Sequence, residues 1–330
     1  MRGNQNTWAL VPAAGEGLRL RSLTTTDLGL SISKQFCSLR GGATLLDEAL
    51  GRARALTHAC GICASVAAQH QGWWSPQLGT VLKNNIIVQP QNRGTANGIL
   101  MPLLLLLDRD PGARIVLLPS DHHVRDEPVL SRCIRGAFGQ LQSCADETLL
   151  LGLEPEEADP ELGYIIPGGK DHRGRLRVLQ FVEKPATARA RELIGLGALW
   201  NAFIVTSTVH ALMALFVRRV PEVVKAMHAA MHRDLESSGA EGAIAQLYDR
   251  LPTLDFSQDI LAKQPSYLRA LPVPPCGWSD LGTPERVAGA LRRSPQQANE
   301  GSRPGSYHVS LAAQHERLHG LHGEMSHEVA

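Results

Sequence analysis

Along the first 150 residues, short apolar runs alternate with amphipathic stretches, and this alternation narrows the choice of fold more than any other feature. Trp8 to Pro12, Gly61 to Ala67, Ile86 to Gln89 and Thr148 to Leu153 read as strands. Thr44 to Leu56 reads as a helix, with Leu45, Leu46, Ala49, Leu50, Ala53 and Leu56 spaced onto one face. Thr95 to Leu107 and Glu127 to Ser143 read as further helices. Arg114 to Pro119 holds the unbroken run Ile115-Val116-Leu117-Leu118, which suits a strand covered on both faces of a parallel sheet. Strands joined by helices predict an α/β fold built on a doubly wound, mostly parallel sheet.

The second half is more mixed. Gly163 to Pro167, Leu176 to Val182 and Leu199 to Val205 read as strands, and Ser207 to Phe216, Pro221 to His232 and Glu241 to Arg250 as helices. No long linker divides the chain, so residues 1–292 are read as one unit with halves of about 1–150 and 151–292. Residues 293–330 read as a flexible polar tail with one short helix or none.

Bulk properties exclude several classes of function. Hydrophobic residues at 43% and charged residues at 20% argue against general disorder. A net charge of +1 leaves no basic surplus to hold a nucleic-acid polymer, so a nucleotide ligand is expected to be small. The greasiest run, Ile99 to Leu107, falls short of the about 20 apolar residues that span a bilayer, and is read as a buried helix. No apolar signal region follows the polar start, which makes the cytoplasm the expected location. The six cysteines form no disulfide framework. Cys60-Gly61-Ile62-Cys63 reads either as a redox pair or as small residues filling a strand.

The chemistry begins where the first strand ends. Ala13-Ala14-Gly15-Glu16-Gly17-Leu18-Arg19-Leu20 is a glycine-rich turn whose backbone can approach a phosphate and point N–H groups at it. Arg19 and Lys34 can add positive charge. The turn lacks the Gly-Lys-Ser/Thr of a P-loop and the third glycine of a dinucleotide fingerprint. Pro119-Ser120-Asp121-His122 follows a strand, and ligands of open parallel sheets bind beyond the carboxyl ends of strands. Asp121 is therefore placed to hold a metal ion or a ribose. Gln89-Pro90-Gln91-Asn92-Arg93-Gly94-Thr95-Ala96 could wrap a planar base, and Phe181-Val182-Glu183-Lys184-Pro185 ends a strand with groups suited to sugar hydroxyls and phosphate. Asn201 offers an amide to a sugar, and Asp280, in Gly277-Trp278-Ser279-Asp280-Leu281-Gly282, is a second turn-borne carboxylate. Two such carboxylates together with phosphates suit Mg²⁺.

In this order the motifs resemble those of the sugar-1-phosphate nucleotidylyltransferases, most nearly the bacterial mannose-1-phosphate guanylyltransferases, over roughly Trp8 to Leu291. The resemblance implies a nucleotidyltransferase core with an inserted sugar-binding subdomain. It implies that Ala14, Gly15, Gly17, Arg93, Gly94, Thr95 and Ser120 bind the nucleotide, and that Arg19 and Lys34 act on the triphosphate. It implies that Gly163, Tyr164, Glu183, Lys184 and Asn201 bind the sugar phosphate, and that Asp121 and Asp280 hold Mg²⁺. The implied partners are GTP and mannose-1-phosphate, giving GDP-mannose and pyrophosphate, with no nucleic acid, no membrane and a homodimer left open. Leu18 stands where the family has Thr or Ser, Ser33 where it has Pro, Gln89 where it has Glu, and Ala202-Phe203 where Ser-Gly is frequent. These departures leave open the same chemistry with another base and sugar, and a second reading, a non-catalytic relative that binds nucleotide-sugar and regulates a partner. A third is a zinc peptidase built on His315-Glu316-Arg317-Leu318-His319, although the surrounding tail has little apolar material for a cleft.

Overall fold

The computed structural model describes residues 6–26, 29–39, 42–141, 146–236 and 242–292. The elements of the first half are β1 (Thr7–Pro12), α1 (Arg21–Thr24), α2 (Leu45–Leu56), β2 (Ile62–Ala67), α3 (Gln71–Trp74), β3 (Ile86–Gln89), α4 (Gly94–Arg109), β4 (Arg114–Leu117), β5 (His123–Val124), α5 (Glu127–Leu141) and β6 (Thr148–Leu153). The second half supplies β7 (Gly163–Lys170), β8 (Leu176–Glu183), α6 (Thr187–Gly195), β9 (Leu199–Thr208), α7 (Val209–Arg219), α8 (Pro221–Glu236), α9 (Ala243–Tyr248), β10 (Leu268–Val273), β11 (Trp278–Ser279) and α10 (Pro284–Arg292).

Successive residues of the central strands are apolar, so both faces of the sheet need cover. Ala9 and Val11 of β1 and Val116 of β4 pack into one cluster with Leu46, Leu50, Ile134 and Phe138 of α2 and α5. Leu10, Ile115 and Leu117 point the other way, against Ile99, Leu103, Leu212 and Phe216 of α4 and α7. This two-sided cover is the doubly wound arrangement that the alternation predicts. The amphipathic α2 starts at Thr44, whose hydroxyl accepts from the Asp47 amide while Asp47 accepts from the Thr44 amide. This reciprocal cap satisfies two of the orphan donors of the first turn. The greasy run containing Pro102 lies within α4, and nine of the sixteen residues of that helix are buried. Among the described residues no helix is long and apolar enough to cross a membrane.

The large sheet has the order β3-β2-β1-β4-β9-β6-β10-β8-β7, with β7 also pairing β9. The β1–β2, β2–β3, β1–β4 and β6–β10 pairs are parallel. The β4–β9, β6–β9, β8–β10, β7–β8 and β7–β9 pairs are antiparallel. The sheet is thus parallel through β3-β2-β1-β4 and mixed overall. A separate two-stranded sheet joins β5 to β11. Sequence periodicity gives no warning of β5, β10 or β11, because a two-residue strand has no period and β10 contains Pro272.

Candidate active site

The glycine turn begins as β1 leaves the sheet. The Ala13 amide donates to the Ser65 carbonyl at 2.7 Å, and the Gln35 side chain donates to the carbonyls of Gly15 at 2.7 Å and Ala13 at 3.2 Å. Gly17 has φ +63°, and a Cβ there would meet the Lys34 amide nitrogen at 2.5 Å. No other residue fits both the conformation and the contact. Gly17 therefore fixes how closely the turn approaches the segment carrying Lys34. Ser33 has φ −65°, the value a proline ring would impose, so this backbone shape is reached without a proline. The buried Ser33 hydroxyl lies 3.3 Å from His70 Nε2, which is itself 3.5 Å from Glu16.

Lys34 is buried and bridges two distant segments. Its ammonium donates to the Asp121 carboxylate at 2.9 Å and to the backbone carbonyl of Asp280 at 2.6 Å. The β5–β11 pairing of His123 with Ser279 makes this meeting possible, since it sets residues 121 and 280 side by side. Burial opposes the charge on Asp121, yet Lys34, with His122 and Arg19, holds its carboxyl down at about 2. Burial holds the His122 imidazole down at about 4, despite Asp121 beside it. The Asp280 carboxylate accepts from Arg286 at 2.5 Å, from the Gly282 amide at 3.1 Å and from Arg19 at 3.5 Å. Burial works against its charge, but Arg286 chiefly keeps its pKa lowered. Arg19 itself is loosely held, 44% exposed and 3.6 Å from Glu161.

Gly15, Gly17, Arg19, Asp121, His122 and Asp280 line a cleft of about 390 Å³ beyond the carboxyl ends of β1 and β4. Its opposite wall comes from the second half. Asn201 pairs with Gly152 of β6, Trp200 with Tyr164 of β7, and Gly163 with Glu183 of β8, so the start of β7, the end of β8 and the start of β9 meet at one level. Burial, with the charge of Asp255 added, pushes Glu183 up to about 7 against the pull of Lys184, and its Oε2 has no hydrogen-bond partner. Lys184 and Phe203 line the cleft with φ of 47° and 55°, and Leu281, next to Asp280, has φ 47°. These are the only non-glycine residues with positive φ among the described residues. Each costs on the order of 1–3 kcal/mol and persists only where its surroundings over-determine it.

Thirteen of the sixteen residues singled out from sequence line this cleft: Ala14, Gly15, Gly17, Arg19, Gly94, Thr95, Ser120, Asp121, Gly163, Glu183, Lys184, Asn201 and Asp280. Lys34 stands just behind it, through Asp121. Arg93 turns away, and its guanidinium donates to the carbonyls of Tyr248 and Asp249 at 2.8 and 3.0 Å. Tyr164 is fully buried, exchanging hydrogen bonds with the Asp159 backbone. The Ser120 hydroxyl donates to the Pro12 carbonyl, joining the ends of β4 and β1. Gln35 and Gln89 reach the cleft from motifs already singled out, but Thr253, Asp255 and Ser257 reach it from a stretch with no sequence signal. That stretch is tied to the α4 start, where Thr95 accepts from the Phe256 amide at 2.8 Å and the Ala96 amide donates to the Leu254 carbonyl at 3.0 Å. Elsewhere, Cys60 is exposed and Cys63 buried, with burial pushing the Cys63 thiol up to about 12, which suits a strand residue better than a redox partner. The His315–His319 motif lies outside the described residues.

The model of the nucleotidyl transferase family matches residues 8–296, and the chain belongs to that family. Curated relatives include a mannose-1-phosphate guanylyltransferase of Sinorhizobium fredii, 26% identical over 290 residues, covering 84% of this chain and 53% of that protein. Another, from Salmonella muenchen, is 25% identical over 308 residues, covering 87% of this chain and 60% of that protein. The chain thus spans little more than half the length of the curated relatives it matches. Among solved structures, a Thermus thermophilus protein described as mannose-1-phosphate geranyltransferase superposes with a TM-score of 0.72 at 25% identity, covering 88% of this chain and 81% of its own. A UDP-glucose pyrophosphorylase solved with UDP-glucose shares the fold, with a TM-score of 0.53 at 15% identity, 87% of this chain and 97% of its own being covered.

Proposed function

We propose that this member of the nucleotidyl transferase family joins a nucleoside triphosphate to a sugar-1-phosphate, releasing pyrophosphate, and that the pair is GTP and mannose-1-phosphate. The chemistry rests on one observation above all. A glycine-rich turn, a cationic bridge of Lys34 to Asp121 and Asp280, and the Glu183-Lys184 and Asn201 wall converge on one cleft. The choice of base and sugar rests on the relatives named mannose-1-phosphate guanylyltransferase.

The sugar phosphate is already an anion, so its oxygen attacks the α-phosphorus without a general base. The task for the protein is to bring two anions together and to stabilise the charge that develops in line. The N–H groups of residues 14–17 and the half-exposed Arg19 would meet the triphosphate. Lys34, its ammonium held by Asp121 and the Asp280 carbonyl, would stabilise charge at the α-phosphate. Lys184 faces the sugar phosphate. Glu183, with its pKa near neutrality, can donate a hydrogen bond to a sugar hydroxyl when protonated and accept one when ionised.

The donor set fits Mg²⁺, which favours one or two carboxylates together with phosphate oxygens. Asp121 offers Oδ1, 3.7 Å from His122, and Asp280 gains a free oxygen when Arg19 moves to the triphosphate. When bound there, the ion would polarise the phosphates and neutralise developing charge. Pyrophosphate release measured across a matrix of nucleotides and sugar phosphates tests the whole reading. Turnover with GTP and mannose-1-phosphate, lost on chelation and restored by Mg²⁺, is the expected result. Binding of nucleotide-sugar without release in any pairing would favour the regulatory relative instead.

A further inference from the structure

Away from the cleft, α8 carries two histidines four residues apart, which places them on one helix face. The Nε2 atoms of His228 and His232 are 3.0 Å apart and their ring centroids 4.3 Å apart. Asp108, in the last turn of α4, brings Oδ1 to 4.0 Å from His228 Nε2. The three ligand atoms all lie within 4.8 Å of one another, and no other such group of three occurs among the described residues.

We propose that Asp108, His228 and His232 form a binding site for a late first-row divalent cation of the zinc class, clamping α8 to the end of α4. The geometry is nearly that of a chelate. Two imidazole nitrogens bound to one tetrahedral zinc at about 2.0–2.1 Å stand roughly 3.4 Å apart. The His228–His232 approach needs only a few tenths of an ångström of opening to reach that. The donor set selects the metal class, since two imidazoles and a carboxylate suit Zn²⁺, Ni²⁺ or Cu²⁺, whereas Mg²⁺ prefers oxygen alone. The His228 and Asp108 side chains are 46% and 48% exposed, which gives the ion an entry path and leaves room for a water at the fourth position. Without an ion the close approach requires one ring to donate and the other to accept, and two protonated rings would repel.

The place of the clamp gives it a consequence. α8 packs against both α4 and α9. α9 ends at Tyr248, whose carbonyl takes the Arg93 guanidinium at the start of α4. An ion joining α8 to the far end of α4 would therefore brace the strap that holds the start of α4 at the cleft, while remaining outside the reaction.

The test uses the full chain stripped with chelator, because His315 and His319 in the tail share the same four-residue spacing. Zn²⁺ is titrated by calorimetry, with thermal unfolding followed in parallel and Mg²⁺ as the control ion. The wild type is expected to bind Zn²⁺ and unfold at a higher temperature with it. His228→Ala and His232→Gln should each remove one equivalent or weaken it at least as much as the roughly 10–100-fold that loss of an outer-shell partner costs. Asp108→Asn should weaken it as well, and a His315→Ala/His319→Ala chain should keep it. Wild-type stoichiometry and affinity in both α8 variants would overturn the proposal, as would loss of all Zn²⁺ binding in the tail variant. Thermal unfolding without Zn²⁺ checks that each variant is folded.

Discussion

The most searching test of the wall that carries Glu183 is Glu183→Gln, read through the pH dependence of stability. Glu183 has a folded pKa of about 7 against 4.5 for an unperturbed carboxyl. A gap of that size is worth roughly 3 kcal/mol between its two protonation states. Because the folded pKa lies above the unfolded one, the folded chain binds more protons between pH 4.5 and 7, and stability falls as pH rises through that window. Below pH 4.5 the carboxyl is neutral in both states and contributes nothing. Above pH 7 it is charged in both, and the full cost of about 3 kcal/mol applies. Glutamine keeps the shape and removes the charge. It adds a constant offset, because its amide must also find partners where Oε2 has none. The pH-dependent part of the difference between wild type and variant isolates the titration. Urea unfolding at pH 4.5, 6 and 7.5 should show the wild type losing up to about 3 kcal/mol relative to Glu183→Gln. A difference that stays flat across the window, or slopes the other way, would refute burial beside Asp255 as the cause.

Three further outcomes follow from the geometry. Gly94→Ala places a Cβ at φ +85°, 2.8–2.9 Å from the backbone carbon and nitrogen of Leu254, so chemical unfolding should show a loss of about 2–5 kcal/mol from strain and displaced hydrogen bonds. Lys34→Ala and Asp121→Ala should each slow pyrophosphate release by about 10²–10³ while circular dichroism shows a folded chain, and full activity in either would end the assignment. Ser33→Pro should fold with stability within about 1 kcal/mol of wild type, since its φ of −65° already matches proline and only the 3.3 Å His70 contact is lost. A loss beyond that in thermal unfolding would show that the local backbone does not match.

The parts of the molecule that the sequence discloses are those where a local pattern carries the information. β1, α2, α4 and β4 are visible because apolar spacing records which faces are covered, and Thr44 marks the start of α2 to the residue. The glycine turn and its basic neighbours are visible because a close backbone approach requires Gly17. Contacts between distant segments are not recorded that way. Nothing near Asp121 announces that the two-residue pairing of β5 with β11 sets Asp280 beside it. Arg93 reads as a base-loop residue, but its donors are taken by carbonyls more than 150 residues away. Tyr164 sits in a motif and yet serves the core, because a strand start can present a side chain to either face. Asp255, which helps to raise the pKa of Glu183, lies in a stretch whose ties to α4 no periodicity reveals.

β9 has a mechanical consequence for how the cleft can open. The ten residues of β9 pair with β6 on one side, with a bulge between Asn201 and Val205, and on the other side with β7 at residues 199–200 and β4 at residues 205–208. The wall that carries Asn201 is therefore stitched to the half that carries the glycine turn. Rotating the halves apart as rigid bodies would tear the ladder along its length. A ligand of the cleft would instead enter and leave through what is not in the ladder, namely residues 13–19, the 253–257 stretch and the Arg19 side chain. The amides of Val205 and Thr206, which lie between β4 and β6, should then exchange with solvent only on global unfolding.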